Sequence, residues 1–199
     1  MEEGENRIRV NGLNSHGYLT ERGGFVMNPE TEEDEKTGTL YVALVGVQDY
    51  PLLPTACNGR SCDLRFPVAD AAQFLDVIAR RTAPMFADMQ VRVMVNADQL
   101  AELPDDIRRQ AQSLSGGQVL EPNSDTVEDE LIDFLELPGP EDTSIVFIAG
   151  HGINIGEDYY LIPSDARQRD DQSWRKSSLV KWRDIQDALE DAKEKMEDK

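Results

Sequence analysis

The sequence predicts an α/β fold, with a mostly parallel sheet flanked by helices on both faces. Three observations carry this. Short apolar runs rich in β-branched residues recur at Leu40 to Val47, Val91 to Asn96 and Ser144 to Gly150. Segments with apolar residues at helical spacing stand between and after them. Strands alternating with helices require crossover connections, which set a parallel sheet between two helical layers.

Residues 1–38 hold many turn formers and little hydrophobic pattern. They read as an irregular N-terminal extension, with a small hairpin around GYLTERGGFVMN and a solvated acidic block, TEEDEK. The domain proper, 39–199, opens with LYVALVGV between Gly38 and QDYP, an unbroken apolar run that suits a strand buried on both faces. A turn-rich loop, PLLPTACNGRSCDLRFP, leads into VADAAQFLDVIARR, where Val68, Ala71, Ala72, Leu75, Ile78 and Ala79 recur at helical spacing. VRVMVN is the second strand. The next clear helix is DTVEDELIDFLEL, with Val127, Leu131, Phe134 and Leu135 on one face and Thr126 and Asp129 spaced as a capping box. Between Asp98 and Pro122 the chain mixes helical and loop features and reads as a surface insertion. SIVFIAG is a third buried strand, YYLIPSDA a shorter apolar segment, and Trp182, Ile185, Leu189, Ala192 and Met196 mark a last helix.

At 199 residues the chain suits one domain with an appendage. Its 39 acids against 20 bases leave a formal net charge of -19. That field repels phosphate backbones and anionic lipid headgroups, so neither nucleic acid nor membrane is expected as a partner. No segment approaches the roughly 18 apolar residues of a membrane span. The acidic start MEEGENR lacks an apolar signal core, which favours a cytoplasmic location. Cys57 and Cys62, with no second cysteine pair and two distant histidines, do not form a zinc pattern. They read as free thiols, and neither metal nor cofactor is expected.

The third strand breaks off into Gly150-His151-Gly152. In parallel α/β sheets, functional groups gather beyond the carboxyl ends of the strands. His151 sits there, between two residues whose missing side chains leave room for a sharp turn and a close approach. The alternative is a histidine that merely closes a turn.

The segment that follows carries a resemblance. A core strand ending in His-Gly, a short turn and YYLIPSDA resemble the caspase-like cysteine peptidases, the clan of caspases, metacaspases and their bacterial relatives. LYVALVGVQDYP resembles the first strand and loop of that family, and VADAAQFLDVI its first helix. The resemblance spans Leu40 to Met196. It implies hydrolysis of a polypeptide substrate by a Cys-His dyad, with His151 as base and Gly152 as an oxyanion donor. It also implies that Asp70, near the start of the first helix, binds a basic substrate side chain as in metacaspases, although Pro67 stands where that family has a cysteine. Arg65 lies near the place where caspases hold an arginine for an acidic side chain. The simpler role for Asp70 is a first-turn acid at a helix N-terminus, and for Asp165 a turn residue at a strand end.

One departure matters. In caspases the nucleophile follows the histidine by roughly 50 residues, after a further helix and strand. Here the helix SSLVKWRDIQDALEDAKEKMEDK is present and the sequence ends at Lys199, so the expected fold is caspase-like but incomplete. Three explanations are open. The cysteine and its strand come from a second polypeptide or the remainder of the domain; the chain is an inactive binding or regulatory homologue; or a rearranged site uses Cys57 or Cys62. An absent strand would leave an open sheet edge that invites a partner.

Overall fold

The structure, a computed structural model, describes residues 4–13, 19–28, 36–54 and 61–197. Residues 1–35 and 36–199 form two compact units. In the first, β1 (Gly4–Leu13) pairs antiparallel with β2 (Leu19–Asn28), in register from Gly4 opposite Asn28 to Leu13 opposite Leu19. Within the extension expected over 1–38, the hairpin expected around GYLTERGGFVMN is longer than that stretch, with ten-residue strands. The alternation Arg7-Ile8-Arg9-Val10 carries the strand period, but two arginines disguise it as a polar stretch. The acidic block 31–35 lies outside the described residues.

The second unit is an α/β domain with a four-stranded parallel sheet. Its strands β3 (Thr39–Gly46), β4 (Asp88–Val95), β5 (Val119–Leu120) and β6 (Thr143–Ala149) lie in the order β5-β4-β3-β6. Because side chains alternate along a strand, β3 feeds two cores. Leu40, Val42 and Leu44 pack with Val68 and Leu75 of α1 (Pro67–Arg81) and Ala111 of α3 (Asp105–Leu114). Tyr41, Ala43 and Val45 pack on the other face with Leu131 and Phe134 of α4 (Ser124–Leu135) and Ile185 of α5 (Trp182–Glu197). Helices cover both faces, as the sequence pattern requires. Gly46 lets α1 start directly over the end of β3, since a Cβ there would lie 2.9 Å from the Pro67 carbonyl oxygen.

The segment expected to be an insertion is instead structural. It forms α2 (Ala97–Ala101), α3 and the edge strand β5, with Leu100 and Ala111 buried in the α1-side core. Ile107, Ala111 and Leu114 of α3 recur at helical spacing and pack on this core, a periodicity the sequence itself carries. The capping box at Thr126 is also corrected. Helix α4 starts three residues earlier, with Asn123 as N-cap accepting from the Thr126 N–H at 2.9 Å. Asp165 holds the same end by accepting from the Ser124 N–H at 2.7 Å and the Ser124 hydroxyl at 2.9 Å.

Chain direction across the sheet decides where a site can form. The sheet grows from β3 to β4 to β5, and α4 then carries the chain back to place β6 on the other side of β3. That reversal brings the loops after β3 and β6 side by side at the carboxyl ends of the sheet, the usual position of sites in such sheets. Among the described residues β6 pairs only with β3, so Ile145 to Ile148 are half-buried rather than enclosed, which corrects the reading of SIVFIAG as a fully buried strand. Beyond β6 the chain forms a small antiparallel sheet of β7 (His151–Ile155), β8 (Asp158–Ile162) and β9 (Val180–Lys181), in that order.

Asp165→Ala should leave the buried Ser124 N–H without its acceptor and cost roughly 1–3 kcal/mol. A lower urea midpoint at unchanged slope would register this, and an unchanged midpoint would contradict it.

Candidate functional site

The first wall of the site is the loop from β3 to α1. The ladder continues one step past β3, with the Val47 N–H donating to the Ala149 carbonyl at 2.8 Å. Asn96, buried at the end of β4, then accepts from the Gln48 N–H at 2.7 Å and the Asp49 N–H at 3.2 Å. Asp63 accepts from the Tyr50 N–H at 2.9 Å, and the Leu64 N–H returns to the Gln48 carbonyl at 2.8 Å. These bonds fold the loop back on itself. Burial, with Asp63 close by, raises the pKa of the Asp49 carboxyl, and Gln99 donates to it in partial compensation.

His151 forms the second wall, immediately after the carboxyl end of β6. Its Nε2 lies 2.8 Å from the carbonyl oxygen of Cys62. A carbonyl can only accept, so Nε2 carries the proton, and in the neutral ring Nδ1 keeps its lone pair as the basic atom. Tyr50 holds the residue from beneath, its ring 4.9 Å from the imidazole and tilted by 42°. The Tyr50 hydroxyl accepts from the His151 N–H at 2.9 Å and donates to the Val47 carbonyl at 3.2 Å. Burial pushes the Tyr50 phenol up to about 12, so this hydroxyl keeps its proton at any physiological pH.

The two flanking glycines serve different neighbours. A Cβ at Gly150 would lie 3.2 Å from the Tyr50 hydroxyl and 3.3 Å from the Val47 Cβ, so Gly150 makes room for the tyrosine under His151. A Cβ at Gly152 would overlap the ring end of Tyr159, a partly exposed side chain that occupies this space. Gly152 lies opposite Leu161 in β7. The two-residue turn at Gly156, where φ is +69°, closes on Ile155 and Asp158 as a hydrogen-bonded pair. Counting back from that pair, Gly152 falls at a non-hydrogen-bonded position, and its N–H faces the open edge of β7.

The other candidates distribute unevenly. Asp70 is an exposed acid in the first turn of α1, the arrangement that stabilises a helix N-terminus. Arg65 is exposed in the segment just before α1. Neither forms a hydrogen bond with His151 in the structure. The reading of Cys62 as a free thiol or spare nucleophile is corrected: its sulfur is disulfide-bonded and buried, 2.7 Å from the Pro54 carbonyl oxygen. Its backbone carbonyl, not its sulfur, meets the histidine. Cys57 lies outside the described residues. Disulfides persist in oxidising surroundings, so the expectation of a cytoplasmic location gains no support from the fold. Among the described residues no helix is long and apolar enough to cross a membrane, and no three His, Cys, Asp or Glu side chains group as a metal site.

Tyr50 and Asn96 escaped the sequence reading, although each carries a signal. Both are polar-tipped residues just past an apolar strand, where a buried donor or acceptor is needed to shape the following loop. The Cys62 carbonyl carries none, because every residue has one.

Fold and site together define a doubly wound α/β protein with a carbonyl-oriented histidine at its switch point. No protein-family model matches the chain, and no curated protein matches it.

Tyr50→Phe should cost roughly 0.5–1.5 kcal/mol, because the hydroxyl that bridges the His151 N–H and the Val47 carbonyl is lost. The alkaline limb carries a second signature. The folded phenol keeps a proton that the unfolded one releases, so stability falls as pH rises from 10 to about 12. Denaturant midpoints across that window should slope less in Tyr50→Phe; equal slopes would remove Tyr50 as the buried phenol.

Proposed function

We propose that this chain is the histidine-bearing part of a cysteine-type endopeptidase of the caspase-like clan, with the nucleophilic thiol supplied from outside the chain. The observation that carries the reading is the Nε2–H bond to the Cys62 carbonyl, which leaves Nδ1 as a base held in a fixed orientation. A base positioned by a third group is the general requirement for activating a nucleophile. In the proposed cycle, Nδ1 takes the thiol proton and the thiolate attacks the substrate carbonyl carbon. The imidazolium then protonates the departing amine, and water hydrolyses the resulting thioester. The outward N–H of Gly152 suits a donor to the oxyanion. Asp70 and Arg65, both exposed near the start of α1, are the candidates for selecting a basic or an acidic substrate side chain.

The open edge of β6 supports a second polypeptide, or the remainder of the domain, as the source of the thiol. Val146 and Ile148 of β6, with Leu161, Trp182 and Leu189, border a cleft of about 360 Å³ beside that edge. A half-buried apolar edge strand is a standing template for another strand. One laid parallel to β6 would end beside His151. The alternative is an inactive binding module of the same fold, favoured by the fact that no described thiol faces the ring.

The test is cleavage of peptides carrying Arg, Lys or Asp before a fluorophore by the intact assembly. His151→Ala should lower kcat/KM by about a hundredfold or more. Wild-type rates in the variant would remove His151 from the reaction, and saturable peptide binding without cleavage by the unmutated assembly would establish the module.

A further inference from the structure

Beyond β8 the chain folds into a compact arm over residues 167–178. The Arg175 N–H donates to the Arg167 carbonyl at 3.0 Å, the Arg169 N–H to the Ser173 carbonyl at 2.8 Å, and Gln168 bridges to Trp174. The Arg167 N–H donates to the Ser178 hydroxyl at 2.9 Å, closing the base, and Gln172 at φ 63° makes the tight turn. This arm and the end of β7, from Ile153 to Gly156, border an open groove of about 840 Å³.

The charge of this region runs against the rest of the molecule. Six of the chain's 20 basic residues fall within 167–183, where Asp170 and Asp171 are the only acids. Arg169, Arg175 and Lys176 line the pocket, all three exposed. Among the described residues none of them is in an ion pair. The Arg169 guanidinium lies 3.4 Å from the Ser173 hydroxyl and from the Trp174 carbonyl and acts electrostatically on the exposed Asp171 carboxylate, and the Lys176 ammonium lies 5.4 Å over the Tyr160 ring. Nearby acids are engaged or turned to solvent. The Asp171 carboxylate accepts from the Ser173 N–H and hydroxyl, Asp158 pairs with Lys181 at 3.4 Å, and Asp170 and Glu157 are exposed.

The pocket floor adds a second feature. β7 is the outer strand of its sheet, and the alternation that turns the Gly152 N–H outward does the same for Asn154. A row of unpaired backbone donors and acceptors, flanked by half-buried Trp174, therefore runs into the cationic pocket. An extended peptide satisfies such an edge by adding a strand, with alternate side chains facing the pocket. A nucleic acid offers no backbone that matches these donors and acceptors. The geometry points to a docking site for an acidic, extended segment of a partner protein, which pairs with β7 and sets its carboxylates against Arg169, Arg175 and Lys176. This site stands independently of any peptidase activity.

The test is fluorescence anisotropy of the full chain with a labelled peptide alternating glutamate and valine. Saturable binding is expected, weakened about tenfold by the pair Arg175→Glu and Lys176→Glu and also by added salt. Asn154→Pro should weaken it too, because it removes an outward N–H without changing charge or breaking the β8 ladder. Should the charge reversals alter thermal unfolding, Arg175→Ala with Lys176→Ala replaces them and should act in the same direction. His151→Ala should bind the peptide as the parent does, which separates this site from the proposed hydrolysis. Absence of saturable binding, indifference to the charge reversals, or tighter binding of a single-stranded RNA oligomer would overturn the proposal.

Discussion

The hydrogen bond from His151 Nε2 to the Cys62 carbonyl is the contact on which the functional reading turns. Taken alone it is an ordinary side-chain-to-backbone bond, worth about 1 kcal/mol. Its importance is directional, because it selects one tautomer and leaves one ring nitrogen basic. That selection is only as firm as the loop carrying the carbonyl. Asn96 grips the start of this loop, Asp63 caps it at Tyr50, Leu64 closes it back on Gln48, and the disulfide at Cys62 restrains its far side. Tyr50 links the two walls, with its backbone held by the loop and its hydroxyl bound to His151.

Topology explains why these pieces meet. Crossovers through α1 and α3 build one flank of the sheet, and the return through α4 builds the other. The loops after β3 and β6 therefore meet at the carboxyl ends of their strands, where Tyr50 and His151 pack against each other. The same arrangement leaves β6 at an edge, with apolar residues on both its faces only half covered. An edge of that composition beside an oriented imidazole is the reason for seeking the rest of the chemistry on another segment of polypeptide.

The distribution of charge adds a separate constraint. A net charge of -19 keeps like molecules apart and disfavours anionic polymers in general. Against that background the exposed guanidinium and ammonium groups of the arm form a local exception. The net charge opposes any anion at long range, so the proposed acidic segment would be held by these cations and by backbone hydrogen bonds to β7 at short range.

Much of this was legible in the residues themselves. Strand and helix identities at LYVALVGV, VADAAQFLDVI and DTVEDELIDFL follow from burial periodicity, a local property of apolar spacing, and the crossover rule turns their alternation into a parallel sheet. His151 stood out because its position after a strand, between glycines, is local too. The strands of the N-terminal hairpin were disguised by interleaved arginines, whereas Ile107, Ala111 and Leu114 already carry the helical spacing of α3. What lay beyond any single stretch was every contact joining residues far apart in sequence: the Cys62 carbonyl 89 positions from His151, Asn96 holding Gln48 across 48, and Asp165 capping α4 across 41. A backbone carbonyl has no sequence signature, and an edge strand differs from a central one only in what pairs beside it. Packing alone assigned those roles, because they depend on where the chain returns and not on which residues it contains.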